Sequence, residues 1–392
     1  MDLRFTPKQE AFRIEAREFI TRKLPKDWVR TQWRYVFDLY GHSDEALAVA
    51  RTMSIELGNK GWLSIPWPKE YGGRQGSYID QLILAEELIA QHCPGLEIFA
   101  CMIAPVLLEF GTEEQKKQHL AGIASGASYW CECLSEPNAG SDLASLQTSA
   151  REKDDHYVLN GQKVWTSAAH IADWSYVLAR TDPDLPKHRG LSVFLVDMKT
   201  PGVSVRPLIN ATGDHEFNEV FFDDVLLPKE SLLGGKNNGW SVTMRMLDFE
   251  RAIAIPMYAE ARSYLGELIE YARQTGSLNP TLRCRVSWLL SECEVAQLFI
   301  YRAASMADKG LNFSIEAAMA KVYSLELNQR VAALGMEIVG PYSGLVEGSK
   351  WAAMGGRAPW RYLRSLGNSL EMGSSEVDRI IIAQRGLRLP RG

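Results

Sequence analysis

The chain has no run of apolar residues near the roughly 18 that a membrane-crossing helix requires, so no membrane span is expected. The stretch Met1 to Glu10 is interrupted by charge and has no apolar core of signal-peptide length, which points to a cytoplasmic protein. Excess basic charge is missing too: 43 Lys and Arg stand against 48 Asp and Glu, with no basic block, and nucleic acid is not an expected partner. Cysteine is sparse, with six residues at 93, 101, 131, 133, 284 and 293. The Cys131-x-Cys133 pair has no second pair at ligand spacing and no His near it, so no metal site is expected and the thiols read as reduced and mostly buried. Internal repeats and low-complexity tracts are absent, which sets aside solenoids and disordered linkers.

A length of 392 residues with 46% hydrophobic and 23% charged content is that of a globular chain of two or three packed units. Through residues 1–123 apolar residues recur at three and four, as in Ala11, Ile14, Phe19 and Ile20, or Leu82, Leu84, Ala85, Leu88 and Ile89. That spacing predicts an N-terminal helical domain, with the Trp67 to Gly76 segment as a surface turn. Across 124–235 the period changes to two. The runs His156 to Thr166, Trp174 to Arg180, Leu191 to Asp197, Val203 to Pro207 and Glu219 to Leu227 predict a small antiparallel β-barrel or sandwich. Helical spacing returns over 236–392, with breaks near Gly276 to Pro280, Lys309 to Phe313, Gly340 to Ser343 and Gly355 to Pro359, as in a C-terminal four-helix bundle. The expected class is α+β, and junctions between such units commonly hold cofactors.

The stretch Leu134-Ser135-Glu136-Pro137-Asn138-Ala139-Gly140-Ser141-Asp142 is followed 20 residues later by Gln162-Lys163-Val164-Trp165-Thr166-Ser167. Pro137, Asn138 and Gly140 break regular structure, while Ser135 and Ser141 add hydroxyls. Trp165 adds a flat apolar face. One stacking face with several hydrogen-bonding groups beside it suits a planar cofactor such as a flavin, although two ordinary loops would have a similar composition.

Both segments resemble those of the acyl-CoA dehydrogenase family of flavoproteins, and the resemblance runs along nearly the whole chain. Phe5-Thr6-Pro7-Lys8-Gln9-Glu10, Trp67-Pro68-Lys69-Glu70-Tyr71-Gly72-Gly73, Phe110-Gly111-Thr112-Glu113-Glu114-Gln115-Lys116, Glu219-Val220-Phe221-Phe222-Asp223-Asp224-Val225 and Gly373-Ser374-Ser375-Glu376-Val377 are similar to family landmarks, in order. The resemblance implies FAD as cofactor, an acyl-CoA thioester as substrate, α,β-desaturation as reaction and an electron-transfer flavoprotein or similar acceptor. It also implies a dimer of dimers, either a homotetramer or a heterotetramer with a related chain.

Desaturation requires a base for the weakly acidic α proton and an acceptor for the β hydride. Where the family's commonest base sits, this chain has Met372, whose thioether cannot take a proton. Glu371 is one residue earlier and on a helix or tight turn would point elsewhere, by about 100°. Glu250, in Leu247-Asp248-Phe249-Glu250-Arg251, matches the position of the base in isovaleryl-type and steroid-side-chain-type members, and is the expected catalytic residue. Without the resemblance it would read as part of an exposed charged helix face. By resemblance, Leu134, Ser135, Gly140, Ser141, Trp165 and Ser167 would hold the flavin, and Ser141 and Arg251 would contact the CoA substrate. Arg273, Glu337, Gly340, Ser374 and Glu376 would serve the rest of FAD, in segments that depart from the family wording: Arg273 is not followed by the usual Phe, and Glu337 stands where Gln is more typical. A base at Glu250 also implies a branched, cyclic or otherwise bulky acyl group. A flavin monooxygenase on the same fold and a non-catalytic subunit of a heteromeric dehydrogenase are the competing readings.

Overall fold

The computed structural model describes residues 5–28, 43–95, 97–254 and 256–390. Helices α1 (Pro7–Lys23), α2 (Asp44–Asn59), α3 (Tyr78–Ala90), α4 (Ile98–Phe110) and α5 (Glu113–Ala124) come first. Strands β1 (Trp130–Cys133), β2 (Ser149–Lys153), β3 (His156–Ser167), β4 (Trp174–Arg180), β5 (Leu191–Asp197), β6 (Val203–Leu208), β7 (Phe217–Pro228) and β8 (Leu232–Leu233) follow. The chain then forms α6 (Gly239–Phe249), α7 (Met257–Thr275), α8 (Pro280–Asp308), α9 (Ser314–Val339), α10 (Arg357–Ser365) and α11 (Ser375–Ile381). It folds as two compact units, one of Met1–Ala50, Ser77–Pro94 and Arg251–Gly392, the other of Arg51–Gly76 and Gly95–Glu250.

Local chemistry sets many of these boundaries. Thr6 and Gln9 close a capping box at the start of α1, with Pro7 in the first turn; Ser77 with Asp80 does the same for α3 and Thr112 with Gln115 for α5. Two of the sequence landmarks are therefore helix starts. Gln115 has a second task, donating from Nε2 to the carbonyls of Glu230 (2.7 Å) and Leu232 (3.0 Å) and so fastening α5 to the end of the sheet. In the Trp67 to Gly76 turn, a Cβ on Gly73 would fall 2.0 Å from the Trp67 carbonyl oxygen, so only glycine fits that approach.

In the second unit the strands form one sheet in the order β6-β7-β3-β2-β4-β5-β8, with β1 added beside β4. Most pairings are antiparallel, as the hairpin-like spacing predicts, but β1 lies parallel to β4, and β2 also meets β4 in parallel. The expected antiparallel barrel is therefore a mixed sheet. β1 arrives from α5 rather than through a hairpin with β4, and that long connection permits the parallel register. One face of the sheet buries Tyr157, Leu159, Val177, Phe194, Val196, Val220, Phe222 and Val225 together with Cys131 and Cys133. Each such side chain contributes roughly 1.5–3 kcal/mol when buried, which fixes the strand register against a one-residue slip.

In the first unit α7, α8 and α9 pack on one another, α10 and α11 pack on α9, and α1 packs on α3, which lies on α7 and α8. The breaks between these helices fall where the sequence places them, with Gly276 in the left-handed conformation ending α7 and Asn279 capping α8. None of the six cysteines is in a disulfide; five are buried and Cys284 is exposed. Among the described residues no helix is long and apolar enough to cross a membrane.

Candidate active site

In the sheet-containing unit, the turn after β1 and the end of β3 are fastened together. Val164 donates its backbone N–H to the Ser135 carbonyl at 2.9 Å. Lys163, with no solvent exposure, donates from Nζ to the Leu134 carbonyl (2.9 Å) and to Glu136 Oε1 (3.0 Å). Glu136 also accepts from the N–H groups of Gln147 (2.6 Å) and Thr148 (2.8 Å). Burial alone would raise the Glu136 carboxyl, but the Lys163 charge and these donors outweigh it and hold it below the usual range. Burial lowers Lys163, with Glu136 opposing.

The pairing of β3 with β7 is irregular between Lys163 and Thr166, and Trp165 in that interval has φ +61°. A non-glycine residue at a left-handed bulge re-aims its side chain. Here the indole points out, 58% exposed, with the Phe217 ring edge-on to it at 5.7 Å. A Trp left this open on a strand offers a flat apolar face to solvent. Ser167 and Ser135 lie half-buried next to the same fastened segments, while Gly140 and Ser141 stand exposed and Leu134 is buried. A flat apolar ring on one segment and hydroxyls on the segments fastened to it are groups that fit the isoalloxazine of FAD.

Helix α6 carries the expected base. Glu250 is only 7% exposed and opens a π-helical turn, Glu250–Ala254, which are infrequent and recur at functional sites. Asp248 (8%) and Arg251 (6%) are buried as well, so this is not a solvated charged face. On the same unit Glu132 of β1 lies opposite Tyr176 of β4, and the Tyr176 hydroxyl meets Thr243 Oγ1 of α6 at 3.0 Å. Glu132 Oε2 is buried without a hydrogen-bond partner. Burial, then the Glu250 carboxylate, push the Glu132 carboxyl well above the ordinary range.

In the helical unit Arg251 Nε stands 3.2 Å from Asp378 Oδ1, and Lys321 Nζ stands 3.3 Å from Asp378 Oδ2. Lys321 also donates to the Gly373 carbonyl. Asp378 is wholly buried. Burial lowers Lys321, against the pull of Asp378. Met372 precedes this turn at φ +56°, and Ser374 caps α11 by accepting from the Val377 N–H at 3.3 Å. Glu371 is committed elsewhere: Arg364 lies 3.0 Å from its Oε2 and Asn368 donates to its Oε1 at 2.5 Å. Of the remaining expected residues, Arg273 is exposed in the last turn of α7 and Glu376 is exposed in the first turn of α11. Glu337 is held by both guanidinium nitrogens of Arg285, and Gly340 takes φ +68° where α9 ends.

Sequence reasoning passed over Glu132, Glu136, Lys163, Lys321 and Asp378 as ligating or positioning groups. Glu132 carried a usable signal, since it is a charge between Cys131 and Cys133 on a short strand, whereas Lys163 follows Gln162 and gave none. Lys321 and Asp378 sit on helices, where charge is ordinary, and only packing reveals their burial.

Sequence profiles of the acyl-CoA dehydrogenase N-terminal, middle and C-terminal domains match residues 6–127, 131–225 and 237–387. The chain is 34% identical to the acyl-CoA dehydrogenase IpdE1 of Mycobacterium tuberculosis, over 90% of this chain and 91% of that protein. It is 38% identical to the acyl-CoA dehydrogenase FadE34 of the same organism over 86% of this chain, but spans only 46% of that longer protein. Among solved structures it is similar to the Tcur3481-Tcur3483 steroid ACAD (29% identity, TM-score 0.89, 100% of both chains covered). It is also similar to the ChsE4-ChsE5 complex of Mycobacterium tuberculosis (32%, 0.86, 100% of both).

Proposed function

This chain belongs to the acyl-CoA dehydrogenase family, and from that premise we propose that it introduces an α,β double bond into a bulky, steroid-type acyl-CoA with Glu250 as the base. Members of the family are FAD-binding oxidoreductases. When bound, FAD supplies the acceptor for the hydrogen that leaves the β carbon as hydride. The chain's own residues do the rest. The carbon acid is weak, so the base must be placed in advance and kept from bulk water; Glu250 is a buried carboxylate at a turn that departs from α geometry. That single observation carries the reading. The two alternatives at the C-terminal motif are a thioether, Met372, and a carboxylate already held by Arg364 and Asn368, Glu371.

Trp165 would stack on the flavin, with Leu134, Ser135 and Ser167 lining its edge and Gly140 and Ser141 at the rim; Ser141 and Arg251 would contact the CoA ester. Arg273, Gly340, Ser374 and Glu376 are assigned to the rest of FAD, and Glu337 to a lesser part, since Arg285 occupies it. Support for a steroid-type acyl group comes from the solved steroid ACAD, and support for pairing with a related chain from the ChsE4-ChsE5 complex; a homotetramer is the simpler assembly. An electron-transfer flavoprotein would accept the electrons, in the cytoplasm. The spans 1–123, 124–235 and 236–392 are proposed as the three domains. A monooxygenase or a non-catalytic subunit would not need an α-proton base at Glu250.

Anaerobic absorbance near ~450 nm, with straight, branched and steroid-type acyl-CoA esters, tests this directly. Bleaching by the bulky class and its loss in Glu250→Gln with flavin still bound are expected. Normal bleaching in Glu250→Gln would remove Glu250 from the reaction, and bleaching by straight chains alone would overturn the substrate class.

A further inference from the structure

A second carboxyl stands on the same unit as the proposed base, and the sheet aims it at the helix that carries that base. On β1, Cys131 and Cys133 face the sheet core, so Glu132 between them faces the other way. Tyr176 is its cross-strand neighbour in register, and the Tyr176 hydroxyl reaches Thr243 of α6 at 3.0 Å. The face that bears Glu132 is therefore the face that α6 covers. Glu250 lies seven residues beyond Thr243, about two helical turns, at the end of that same helix side.

Two ionised carboxylates at such a place would be costly. Glu132 Oε2 has no hydrogen-bond donor, and a bare buried carboxylate oxygen loses its hydration without replacement. The groups that act on Glu132 offer no compensation: Glu250 from the end of α6, Tyr176 from β4, and Cys133 on its own strand are anionic or neutral. Glu97, ahead of α4, acts on the neighbouring Cys131 and is acidic as well. Lys163, whose charge acts on the adjacent Cys133, is spent on Glu136 and the Leu134 carbonyl.

We propose that Glu132 is a positioning residue for the base, one that keeps its proton so that the Glu132 and Glu250 pair carries a single negative charge, located on Glu250. This rests on the assignment of Glu250 as base. In the proton-transfer step the α C–H bond breaks, its electron pair remains with the substrate, and the proton joins Glu250, which leaves both carboxyls neutral. The proton on Glu132 does not move. Its function is to spare Glu250 and the developing negative charge of the substrate a second anion at close range. The raised titration of Glu132 agrees with this arrangement. Above that titration the pair gains a second charge, and turnover falls at alkaline pH.

The test joins infrared difference spectroscopy of the holoenzyme with a pH profile. A neutral-carboxyl C=O band at neutral pH is expected in the wild type and in Glu250→Gln, and its disappearance in Glu132→Gln. Turnover of Glu132→Gln should stay within about threefold of wild type at neutral pH, because the amide imitates the protonated acid, and its alkaline fall should vanish. Absence of the band in the wild type, which needs no variant to fold, overturns the proposal. So does a loss of about a hundredfold in Glu132→Gln that Glu132→Asp rescues, since an anion would then be required. The failures are separable: active Glu250→Gln refutes the base, whereas a missing acid band refutes Glu132.

Discussion

The ammonium of Lys163 lies 3.0 Å from the Glu136 carboxylate, both side chains buried, and the same nitrogen reaches the Leu134 carbonyl at 2.9 Å. One side chain thus ties β3 to the turn that follows β1. Lys163→Met should cost about 3–5 kcal/mol, because it strands a buried carboxylate rather than merely deleting a contact. Glu136→Gln added to Lys163→Met should restore part of that loss. Guanidinium denaturation of the three proteins measures both effects.

Trp165 makes the opposite case, since an indole 58% exposed contributes little to the fold. Trp165→Ala should unfold within about 1 kcal/mol of wild type, yet release flavin during gel filtration, while Trp165→Phe retains it. A large stability loss in Trp165→Ala would show that the ring is packing rather than platform.

Asp378 faces two cations, Arg251 and Lys321, so its removal and theirs are not equivalent. Asp378→Asn leaves two buried positive charges together and should cost about 3–5 kcal/mol. Lys321→Met leaves a balanced Arg251–Asp378 pair and should cost less. The order of their denaturation midpoints decides the matter.

His119 stands between Trp130 and Trp174, at 5.2 and 4.5 Å between ring centres, and burial lowers it from 6.5 to about 4. A depressed folded value means that the unfolded chain binds the proton first. Stability from this group is therefore complete above pH 6.5 and is lost as pH falls toward 4, on the order of 2 kcal/mol. His119→Phe should show a smaller drop in denaturation midpoint between pH 7 and pH 5 than wild type.

The order of helix, strand and helix was legible because burial on one side imposes periods that survive in the residue pattern, and because breaks such as Gly276 to Pro280 and Lys309 to Phe313 separate the helical runs. The fold class and the family were legible from motifs in order. The parallel register of β1 was not, because a strand of four residues carries no record of its neighbour. Nor was the burial of Glu250 legible: Leu-Asp-Phe-Glu-Arg reads as an exposed helix face until the π turn and its surroundings are seen. Glu132 stood out as a charge between two cysteines, but its role was not legible, since that lies in what it faces, α6, more than 100 residues away in sequence.

Five of the six thiols are sealed within the fold and Cys284 alone is open, on the first turns of α8. A maleimide dye added to the native protein would therefore mark a single point on each chain, with no cysteine having to be engineered away. Paired with its counterpart on a second copy, that dye becomes a ruler for how the chains assemble. Left unlabelled, the ratio of fast to slow thiols reports how many molecules have lost their fold.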